Sequence, residues 1–516
     1  MRRRPSPWCA PSRDRIPERW RRHRAVGIPR IYVWDRLVRA FEEVKDLFDP
    51  ADLLNPGKIT AAPKFADRSL FRFKPDYSIE PFEPVLDWMA YPGPAKGFAG
   101  AVEMCNNNGA CRSLAGGSMC PSYRVTRNER DVTRGRANVL RLALSKQLGP
   151  AALTSDSMEE AMWLCVSCEA CKLECPAGVD MARMKIEVQA ARLKTHGLSL
   201  RSRLIAYLPR YAGLAARIPW LLNLRNRIPA LARAGVRIAG FSARRSMPRW
   251  RADRFEPAGN VFGPEGAREV ILFADTFNRT FERETLDAAL SVLIAGGYRV
   301  HLPVPAGGNS RPLSCGRTFL SVGLVDEAKK EMTRSLVALL PYVEKGMEIV
   351  GLEPSCLLTF RDEVLALLPG EASTRVAAKA LLFEEFLAKE ADAGRLSLDL
   401  KPVGLKALLH GHCHQKSFRG MAPVEKVLRL IPGLSVETIQ SSCCGMAGAF
   451  GYQAETIDVS LAIAELSLLP AVRAAQPDTI LVADGTSCRH QIHDGAGRDA
   501  VHVARVLARS LAAGRS

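Results

Sequence analysis

The sequence from residue 165 to residue 176 reads Cys165-Val-Ser-Cys168-Glu-Ala-Cys171-Lys-Leu-Glu-Cys175-Pro176. Its spacing, C-x2-C-x2-C-x3-C-P, is typical of a loop that wraps three thiolates around one 4Fe-4S cube and sends a fourth thiolate to a neighbouring cube. A single zinc ion is the alternative, but four Cys within eleven residues, followed by Pro, exceed what one tetrahedral ion needs. The segment therefore predicts one half of a domain with two iron-sulfur clusters.

A partner motif lies upstream, in Cys105-Asn-Asn-Asn108-Gly109-Ala-Cys111 followed by Met119-Cys120-Pro121. Aligning the Cys-Pro pairs and the Gly-x-Cys steps makes Cys105 the first ligand, Cys111 the third and Cys120 the exported fourth, with Asn108 at the second position. We predict one cluster held by Cys120, Cys165, Cys168 and Cys171. The other is held by Cys105, Cys111 and Cys175, and one of its irons is bound by a group other than Cys or is absent.

The second half of the chain contains an internal duplication. The first copy runs from a strand at 270 to 273, through SCGRTFLSVGLVDEAKK at 314 to 330, to GLEPSC at 351 to 356. The second runs from a strand at 407 to 409, through SCCGMAGAFGYQAE at 442 to 455, to DGTSC at 484 to 488. Strands that alternate with helical segments predict two small α/β lobes.

The second copy brings together four thiolates, which predict a third metal site, either an iron-sulfur cluster or zinc: Cys413, Cys443, Cys444 and Cys488. The matching positions of the first copy are Thr276, Ser314, Cys315 and Cys356, so half of the ligands are missing there. We expect Cys315 and Cys356 to be buried small hydrophobic residues.

Three histidines, His410, His412 and His414, alternate beside Cys413 and would share one face of a strand. They would act there as proton donors, as a ligand near the second-lobe site, or as the polar face of an edge strand.

The charge of the chain excludes one class of function. Of a net charge of +18 over 516 residues, residues 1 to 24 carry +7 and residues 201 to 254 carry +12, so the rest is about −1. A basic groove through the folded body is therefore absent, and we expect no nucleic-acid partner. The Arg-rich stretch at 201 to 254 is either an amphipathic surface that lies on anionic lipid or a solvated helical face covering the cluster domain.

The placement of the 14 Cys predicts a compartment. The chain does not open with a charged region followed by an apolar run and a cleavage site, which would mark a secretory signal peptide. We therefore expect the cysteines to bind metal in a reducing cytoplasm and not to form disulfides. No uncharged apolar stretch of about 18 residues predicts a transmembrane helix. We expect a cytoplasmic protein, with peripheral contact to the inner face of the membrane if the Arg-rich stretch binds lipid.

These signals predict a multidomain α and α/β protein, with a helical ferredoxin-like domain for two 4Fe-4S clusters followed by two duplicated α/β Cys-Cys-Gly lobes. The predicted parts are a disordered Arg-rich tail (1 to 30), a helix and turn (31 to 65), a linker (66 to 100), the cluster domain (101 to 197), the Arg-rich helical region (198 to 255), the degenerate first lobe (268 to 365) and the second lobe (400 to 510).

Four segments resemble a known family: MCPSYRVTRNERDVTRGRANVLRLAL at 119 to 144, the Cys run at 165 to 176, CCGMAGAFGY at 443 to 452 and GTSCRHQI at 485 to 492. They look like the C-terminal iron-sulfur half of fused FAD and Fe-S D-2-hydroxyacid dehydrogenases, which oxidise D-lactate, glycolate or D-2-hydroxyglutarate. The same half is similar to the electron-transfer subunit of anaerobic glycerol-3-phosphate dehydrogenase.

The resemblance implies an electron-transfer role. FDPADLLNPGKI at 48 to 59 is like the last turn of the FAD-linked oxidase domain, and the flavin half ahead of it is absent from this sequence, as in a split or truncated reading frame. By resemblance, a FAD-binding half or subunit passes electrons through the clusters toward a quinone or another acceptor. No flavin site and no catalytic residue are predicted in this chain, and we expect no catalysis without a FAD-binding partner or domain.

Two alternatives remain open. A heterodisulfide-reductase-like enzyme would place a catalytic cluster in the second Cys-Cys-Gly lobe, and a zinc-stabilised interaction module would use the cysteines only to hold its fold.

Overall fold

The first part of the chain forms a helix followed by a turn. In the computed structural model, which describes residues 34–64, 67–71, 73–91, 96–305, 307 and 311–512, this helix is α1 (Asp35–Phe48). Leu37, Val38, Phe41, Val44 and Phe48 repeat at helical spacing and so predict a helix, and Val38 is its buried residue. The helix ends at Asp49, whose carboxylate accepts the backbone N–H groups of Leu53 and Leu54. The predicted tail, residues 1 to 30, lies outside the described residues.

The chain divides into two compact units, Met1–Ser78 and Ile79–Ser516. The second unit begins with helices that surround the Cys-bearing loops. They are α2 (Gly97–Glu103), α3 (Pro121–Thr126), α4 (Thr133–Leu144), α5 (Asp156–Trp163), α6 (Ala170–Glu174) and α7 (Met181–His196). The longest, α7, begins where the Asp180 carboxylate accepts the N–H of Arg183 and ends at Gly197, which has a φ of 75°.

The segment predicted as a linker includes an ordered part. The carboxylate of Glu187 on α7 accepts the backbone N–H groups of Val85 and Leu86 and the indole N–H of Trp88, at 2.7 to 2.9 Å. Trp88 is 2% exposed and packs against Phe98. This part of the segment therefore belongs to the core around α7.

The Arg-rich region folds into five short helices, α8 (Leu200–Ala206), α9 (Leu208–Ala215), α10 (Pro219–Leu222), α11 (Leu224–Arg227) and α12 (Pro229–Ala239). Pro219 and Pro229 are the first residues of their helices, where a missing N–H costs nothing. Among the described residues, no helix is long and apolar enough to cross a membrane.

The first sheet has the strand order β1-β3-β2-β4-β5. Its strands are β1 (Val261–Phe262), β2 (Arg268–Phe273), β3 (Tyr298–His301), β4 (Glu348–Gly351) and β5 (Ala380–Leu382). β1 runs antiparallel to β3, and the other pairs are parallel. The strand predicted at 270 to 273 is the buried part of β2.

Helices connect the strands of the first sheet. They are α13 (Thr276–Phe281), α14 (Arg283–Ala295), α15 (Arg317–Leu320), α16 (Val325–Glu344), α17 (Pro354–Leu357), α18 (Glu363–Leu367), α19 (Glu371–Lys379) and α20 (Phe383–Asp392).

The second sheet is parallel, in the order β7-β6-β8, from β6 (Lys406–Leu409), β7 (Ser435–Thr438) and β8 (Ile480–Val482). Its helices are α21 (Cys413–Ser417), α22 (Met421–Leu428), α23 (Ile457–Glu465), α24 (Leu468–Ala474), α25 (Thr486–Ala496) and α26 (Val503–Ser510). The chain thus has the mixed α and α/β architecture predicted from the sequence.

The Glu187 carboxylate gives a first testable prediction. Glu187→Ala leaves three buried N–H donors without their acceptor, which costs about 1–3 kcal/mol for each unsatisfied group. We expect the melting temperature, followed by circular dichroism, to fall by roughly 6 °C or more. The control is Glu83→Ala in the same segment, because Glu83 is exposed. An equal effect of both variants would contradict the role of Glu187.

Candidate metal centres

The loop that carries Cys165, Cys168 and Cys171 is tightly turned. The N–H of Cys165 donates to Met162 O at 3.0 Å, which ends the helix α5. Ser167 and Glu169 then take left-handed backbone angles, with φ of 48° and 60°. Such angles are unfavourable for residues with a side chain and persist where the surroundings require them. Here they turn the chain so that three sulfurs lie inside one loop.

A cavity is lined by Cys120, Cys165, Cys168 and Cys171, the four residues predicted for one cluster. The Cys120 sulfur accepts the N–H of Thr133 at 3.1 Å, and the Cys171 sulfur accepts the N–H of Met181 at 3.4 Å. Burial raises the pKa of Cys120, Cys168 and Cys171 above the usual range for a thiol. Four sulfurs around one space, three of them on buried cysteines and two of them receiving backbone N–H groups, fit the ligand set of an iron-sulfur cluster.

The other three cysteines of the predicted pair of clusters lie on two neighbouring loops. Cys105 follows α2, Cys111 lies in a short 3-10 turn, and Cys175 follows α6. The Glu174 carboxylate accepts the N–H groups of Ser118 and Met119, at 2.7 and 2.9 Å, and so ties these loops together. Burial, with smaller contributions from Cys120 and Cys105, raises the pKa of Cys111 to about 11.

Asn108, at the position of the missing fourth cysteine, is exposed. Its Oδ1 accepts the N–H of Ala110 at 2.8 Å, and its Nδ2 donates to Asn106 Oδ1 at 2.6 Å. Both polar ends of the Asn108 side chain are therefore used to shape the loop between Cys105 and Cys111.

The second-lobe cysteines meet at the carboxyl ends of β6 and β8. These strands are neighbours and parallel, and β7 lies on the other side of β6. The chain order therefore reverses between β6 and β8, which is where open α/β sheets bind ligands. Cys413 begins α21, Cys488 lies in the first turn of α25, and Cys443 and Cys444 lie in the loop after β7.

All four sulfurs of this site are buried and joined by hydrogen bonds. Hydrogen bonds from Cys443 and then Cys488 hold the pKa of Cys444 well below its usual range. The hydrogen bond from Cys443 likewise lowers the pKa of Cys413 to about 6. Hydrogen bonds thus lower the pKa of two of the four thiols, and ligation of a metal would require the thiolate form of every sulfur ligand.

His410 completes this site. One ring nitrogen of His410 and the sulfurs of Cys444 and Cys488 all lie within 4.8 Å of one another. Burial lowers the pKa of His410 to about 4, so the ring is neutral. Its Nδ1 is 2.9 Å from Ser441 Oγ, and its buried Nε2 has no hydrogen-bond partner among the described residues. A neutral imidazole with a free nitrogen beside thiolates fits a metal ion or cluster.

The prediction that the three histidines share one face of a strand is wrong. β6 ends at Leu409, His412 is the N-cap residue of α21, and His414 lies inside that helix. The strand stops because the chain turns into α21, and the three rings therefore point to different partners. His414 Nε2 is 3.1 Å from Ser167 O, in the loop of the first cavity.

The glycine of the Cys-Cys-Gly sequence is required by a close approach. Gly445 has a φ of 82°, and a Cβ atom there would lie 2.2 Å from the carbonyl oxygen of Ser460 on α23. Its N–H donates to the Cys443 sulfur at 3.3 Å. Gly316, which follows Cys315 in the first lobe, also has a positive φ of 77° and a close backbone carbonyl, that of Ala328, at 3.0 Å.

The two cysteines of the first lobe lie together. Cys315 and Cys356 are each 3% exposed, and their sulfurs are 2.9 Å apart. Ser314 and Thr276 are also buried. The expectation of burial is confirmed, but the two thiols contact each other instead of packing separately.

The first cavity and the second-lobe site adjoin. The Ser417 hydroxyl on α21 donates to Cys168 O at 2.9 Å. The pKa of Cys168 is raised mainly by burial, and the charge of Cys413 is the second largest cause. Arg317, from the first lobe, donates to Glu169 Oε1 at 3.0 Å and lies 3.3 Å from His414 Nε2. Sequence reasoning missed Arg317 and Glu169, since no local pattern marks a contact between distant loops.

The family model described as a 4Fe-4S dicluster domain matches residues 101 to 179. This range contains all seven cysteines of the two predicted cluster motifs. Residues 101 to 179 are therefore similar to a 4Fe-4S dicluster domain.

Similar proteins extend the comparison to the whole chain. The D-2-hydroxyglutarate dehydrogenase of Escherichia coli (strain K12) is 26% identical over 530 residues, covering 92% of this chain and 49% of that protein. That of Pseudomonas putida is also 26% identical, with the same coverage. One subunit of the anaerobic glycerol-3-phosphate dehydrogenase of Escherichia coli (strain K12) is 29% identical over 209 residues, covering 39% of this chain and 50% of that protein.

The resemblance to the iron-sulfur half of fused FAD and Fe-S D-2-hydroxyacid dehydrogenases is thus confirmed, and the chain is an oxidoreductase homologue of the 4Fe-4S type. The chain spans about half the length of the curated relatives it matches.

The Gly445 contact gives a second prediction. Gly445→Ala adds the Cβ clash with Ser460 O to the cost of a left-handed backbone, so we expect a loss of at least about 2 kcal/mol of stability. Gly448→Ala is the matched control, because Gly448 also has a positive φ, 58°, but has nothing within 4 Å of its Cβ position. Thermal unfolding compares the two variants. Equal melting temperatures would show that the close approach has no energetic consequence.

Proposed function

We propose that this chain is the iron-sulfur electron-transfer part of a flavin-dependent D-2-hydroxyacid dehydrogenase, which acts on lactate, 2-hydroxyglutarate or glycolate. Electrons would pass from FAD to a quinone or another acceptor. The observation that carries the proposal is the contact between two sulfur-lined sites, where Ser417 beside the second-lobe site donates to the carbonyl of Cys168. Redox centres in series need such neighbouring sites within one folded unit.

In this proposal, the dicluster domain is ferredoxin-like and uses the predicted ligands. One cluster is held by Cys120, Cys165, Cys168 and Cys171, and the other by Cys105, Cys111 and Cys175. Iron-sulfur clusters supply one-electron chemistry when bound. The role of the protein is to bury the sulfurs and to direct backbone N–H groups at them. The N–H of Thr133 donates to the Cys120 sulfur, and that of Met181 donates to the Cys171 sulfur.

The two α/β lobes would be copies of one unit, and the second lobe would hold a further iron-sulfur cluster or zinc. Support comes from the matching glycines, Gly316 and Gly445, and from the central strands, β2 and β6, which each have a parallel neighbour on both sides. Cys413, Cys443, Cys444 and Cys488, with His410, would be the ligands.

A flavoprotein half or subunit is the proposed electron donor, and the chain would not oxidise a hydroxyacid without it. Support comes from α1, whose apolar side chains are unusually exposed: Leu47 and Phe48 are 78% and 79% exposed. An apolar helix face of this kind marks an interaction surface. The proposed location is the cytoplasm, with no nucleic-acid partner.

Metal analysis tests the proposal directly. Protein purified without oxygen should contain about seven or more iron atoms per chain, with matching acid-labile sulfide and a broad brown absorbance. Cys165→Ser should lose at least about three of these iron atoms, because it removes a ligand from the first cavity. Cys444→Ser should keep the iron of the dicluster domain and lose only the second-lobe metal.

Three outcomes of these measurements would overturn parts of the proposal. Zinc without sulfide would indicate the structural module. Disulfide reduction by the isolated chain that is abolished by Cys443→Ser, but not by Cys165→Ser, would indicate the heterodisulfide-reductase-like enzyme. Signals of two intact clusters in the electron paramagnetic resonance spectrum of Cys105→Ser would contradict the assignment of Cys105 as a cluster ligand.

Peripheral contact with a membrane is a second part of the proposal. Several arginines of the Arg-rich region are paired within the protein, including Arg201 with Glu455 and Arg210 with Glu331. Others are exposed and surrounded by exposed apolar side chains. The exposed arginines include Arg217, Arg227, Arg233 and Arg237, and the exposed apolar residues include Leu214, Ile218, Trp220, Leu221, Ile228, Leu231 and Ile238. This combination favours the surface of an anionic bilayer.

Vesicle co-sedimentation tests the membrane contact. We expect binding to vesicles of phosphatidylglycerol, weaker binding at high salt, and none to phosphatidylcholine. Trp220→Ser should weaken binding about tenfold, because a large apolar side chain no longer enters the interface. Trp34→Ser is the control, because Trp34 is also exposed but lies outside the Arg-rich region. The exposed fraction of its side chain is 82%, compared with 69% for Trp220. Binding that is independent of lipid charge would remove this part of the proposal.

A further inference from the structure

The contact between Cys315 and Cys356 is closer than packing explains. Apolar atoms in contact lie about 4 Å apart, whereas these two sulfurs are 2.9 Å apart. Cys315 lies just before α15 and Cys356 lies within α17, so the contact joins the loop before α15 to the helix that follows β4. The hydrogen bond with Cys315 is the largest cause that raises the pKa of Cys356 well above its usual range. This direction favours Cys356 as the donor of the hydrogen bond and Cys315 as its acceptor.

Among the residues that the structure describes, the pair lacks the further ligands that a metal needs. The other two matching positions, Thr276 and Ser314, carry hydroxyl groups, which are not zinc ligands in proteins. The nearby carboxylates already accept hydrogen bonds from other groups. Asp275 accepts the N–H groups of Phe277 and Asn278, and Glu353 accepts the N–H of Thr486 at 2.8 Å and the hydroxyl of Ser355 at 2.8 Å.

We propose that Cys315 and Cys356 are a redox-active dithiol that closes reversibly to a disulfide by exchange with a low-molecular-weight disulfide. Cys315 Sγ attacks one sulfur of the small disulfide, whose S–S bond breaks and releases one small thiol. Cys356 Sγ then attacks the mixed disulfide, forms the Cys315–Cys356 bond and releases the second small thiol. The two protons of the cysteines end on the two small thiols, and the two electrons that reduce the small disulfide come from the cysteine pair.

The closure needs only a small movement, because the sulfurs approach from 2.9 Å to a bond length of about 2.0 Å. Exchange needs a local opening of the structure, since each cysteine is 3% exposed, and is therefore slow.

A change in the redox state of the pair would affect the surroundings of Cys488 in the second lobe. α17 begins directly after Glu353, whose carboxylate holds the N–H of Thr486 at the start of the helix that carries Cys488. The charge of Glu353 also acts on both Cys356 and Cys488, where it contributes to their raised pKa values. The proposal goes beyond the electron-transfer function and does not depend on it, since the dithiol needs no metal.

Thiol mapping tests the pair in the full chain. The protein is equilibrated without oxygen in mixtures of oxidised and reduced glutathione, quenched with acid, denatured, labelled with N-ethylmaleimide and digested. We expect mass spectrometry to find the peptides of Cys315 and Cys356 linked, in a fraction that rises with the proportion of oxidised glutathione and falls again on return to reduced glutathione. Cys315→Ser should abolish the link and leave Cys356 labelled.

Ser314→Ala is the matched control, because it changes the buried neighbour of Cys315 and keeps both thiols, and its link should form as in the unchanged chain. Two fully labelled cysteines at every glutathione ratio would overturn the proposal. So would the loss of one metal ion per chain in Cys356→Ser with the dicluster iron intact, since that result would make the pair metal ligands. Circular dichroism of each variant separates these results from a failure to fold.

Discussion

The rest of the structure depends on the burial of sulfur donors. Burial disfavours the thiolate form, and it raises the pKa of Cys168 and Cys171 in the cavity that they share with Cys120 and Cys165. Ligation by a metal requires thiolates, so binding would release protons and would be coupled to the folding of the loops. The left-handed angles of Ser167 and Glu169 place the sulfurs of this loop together, at a cost in backbone energy that ligation would offset.

Sheet topology sets the second-lobe site independently of its ligands. Parallel pairing of β6 with β8 brings His410 and Cys488 to one edge, although 78 residues separate them in the chain. The same pairing of β2 with β4 brings the ends of those strands together in the first lobe. At the positions that the sequence comparison of the two lobes matches, the first lobe carries Thr276 and Ser314 together with Cys315 and Cys356. The remaining pair, Cys315 and Cys356, is then free for other chemistry.

Local patterns predicted local structure well, and long-range contacts poorly. The repeat of Leu37, Val38, Phe41, Val44 and Phe48 predicted α1, and apolar runs predicted β2 and β6. The Cys spacing predicted which sulfurs share the first cavity. The alternating histidines gave a wrong prediction. The N–H of His410 still donates to Val482 O beside β8, but the helix α21 begins only three residues later, so the strand does not continue through His414. Trp88 and Arg317 gave no signal, because Glu187 and Glu169, to which they donate hydrogen bonds, lie 99 and 148 residues away in the chain.

Arg317 shows why such contacts matter for the arrangement of the sites. Its guanidinium group is buried between Glu169 of the cluster loop and Glu363 of the first lobe, and it faces His414 of the second lobe. A buried charge is unfavourable unless every donor finds a partner, and the planar fork of Arg reaches three elements, whereas a Lys ammonium group is a single point charge. Arg317 therefore joins three parts of the unit at the place where Cys168 and Cys413 approach each other. The ion pairs of Arg317 with Glu169 and Glu363 thus connect the cluster loop to the first lobe.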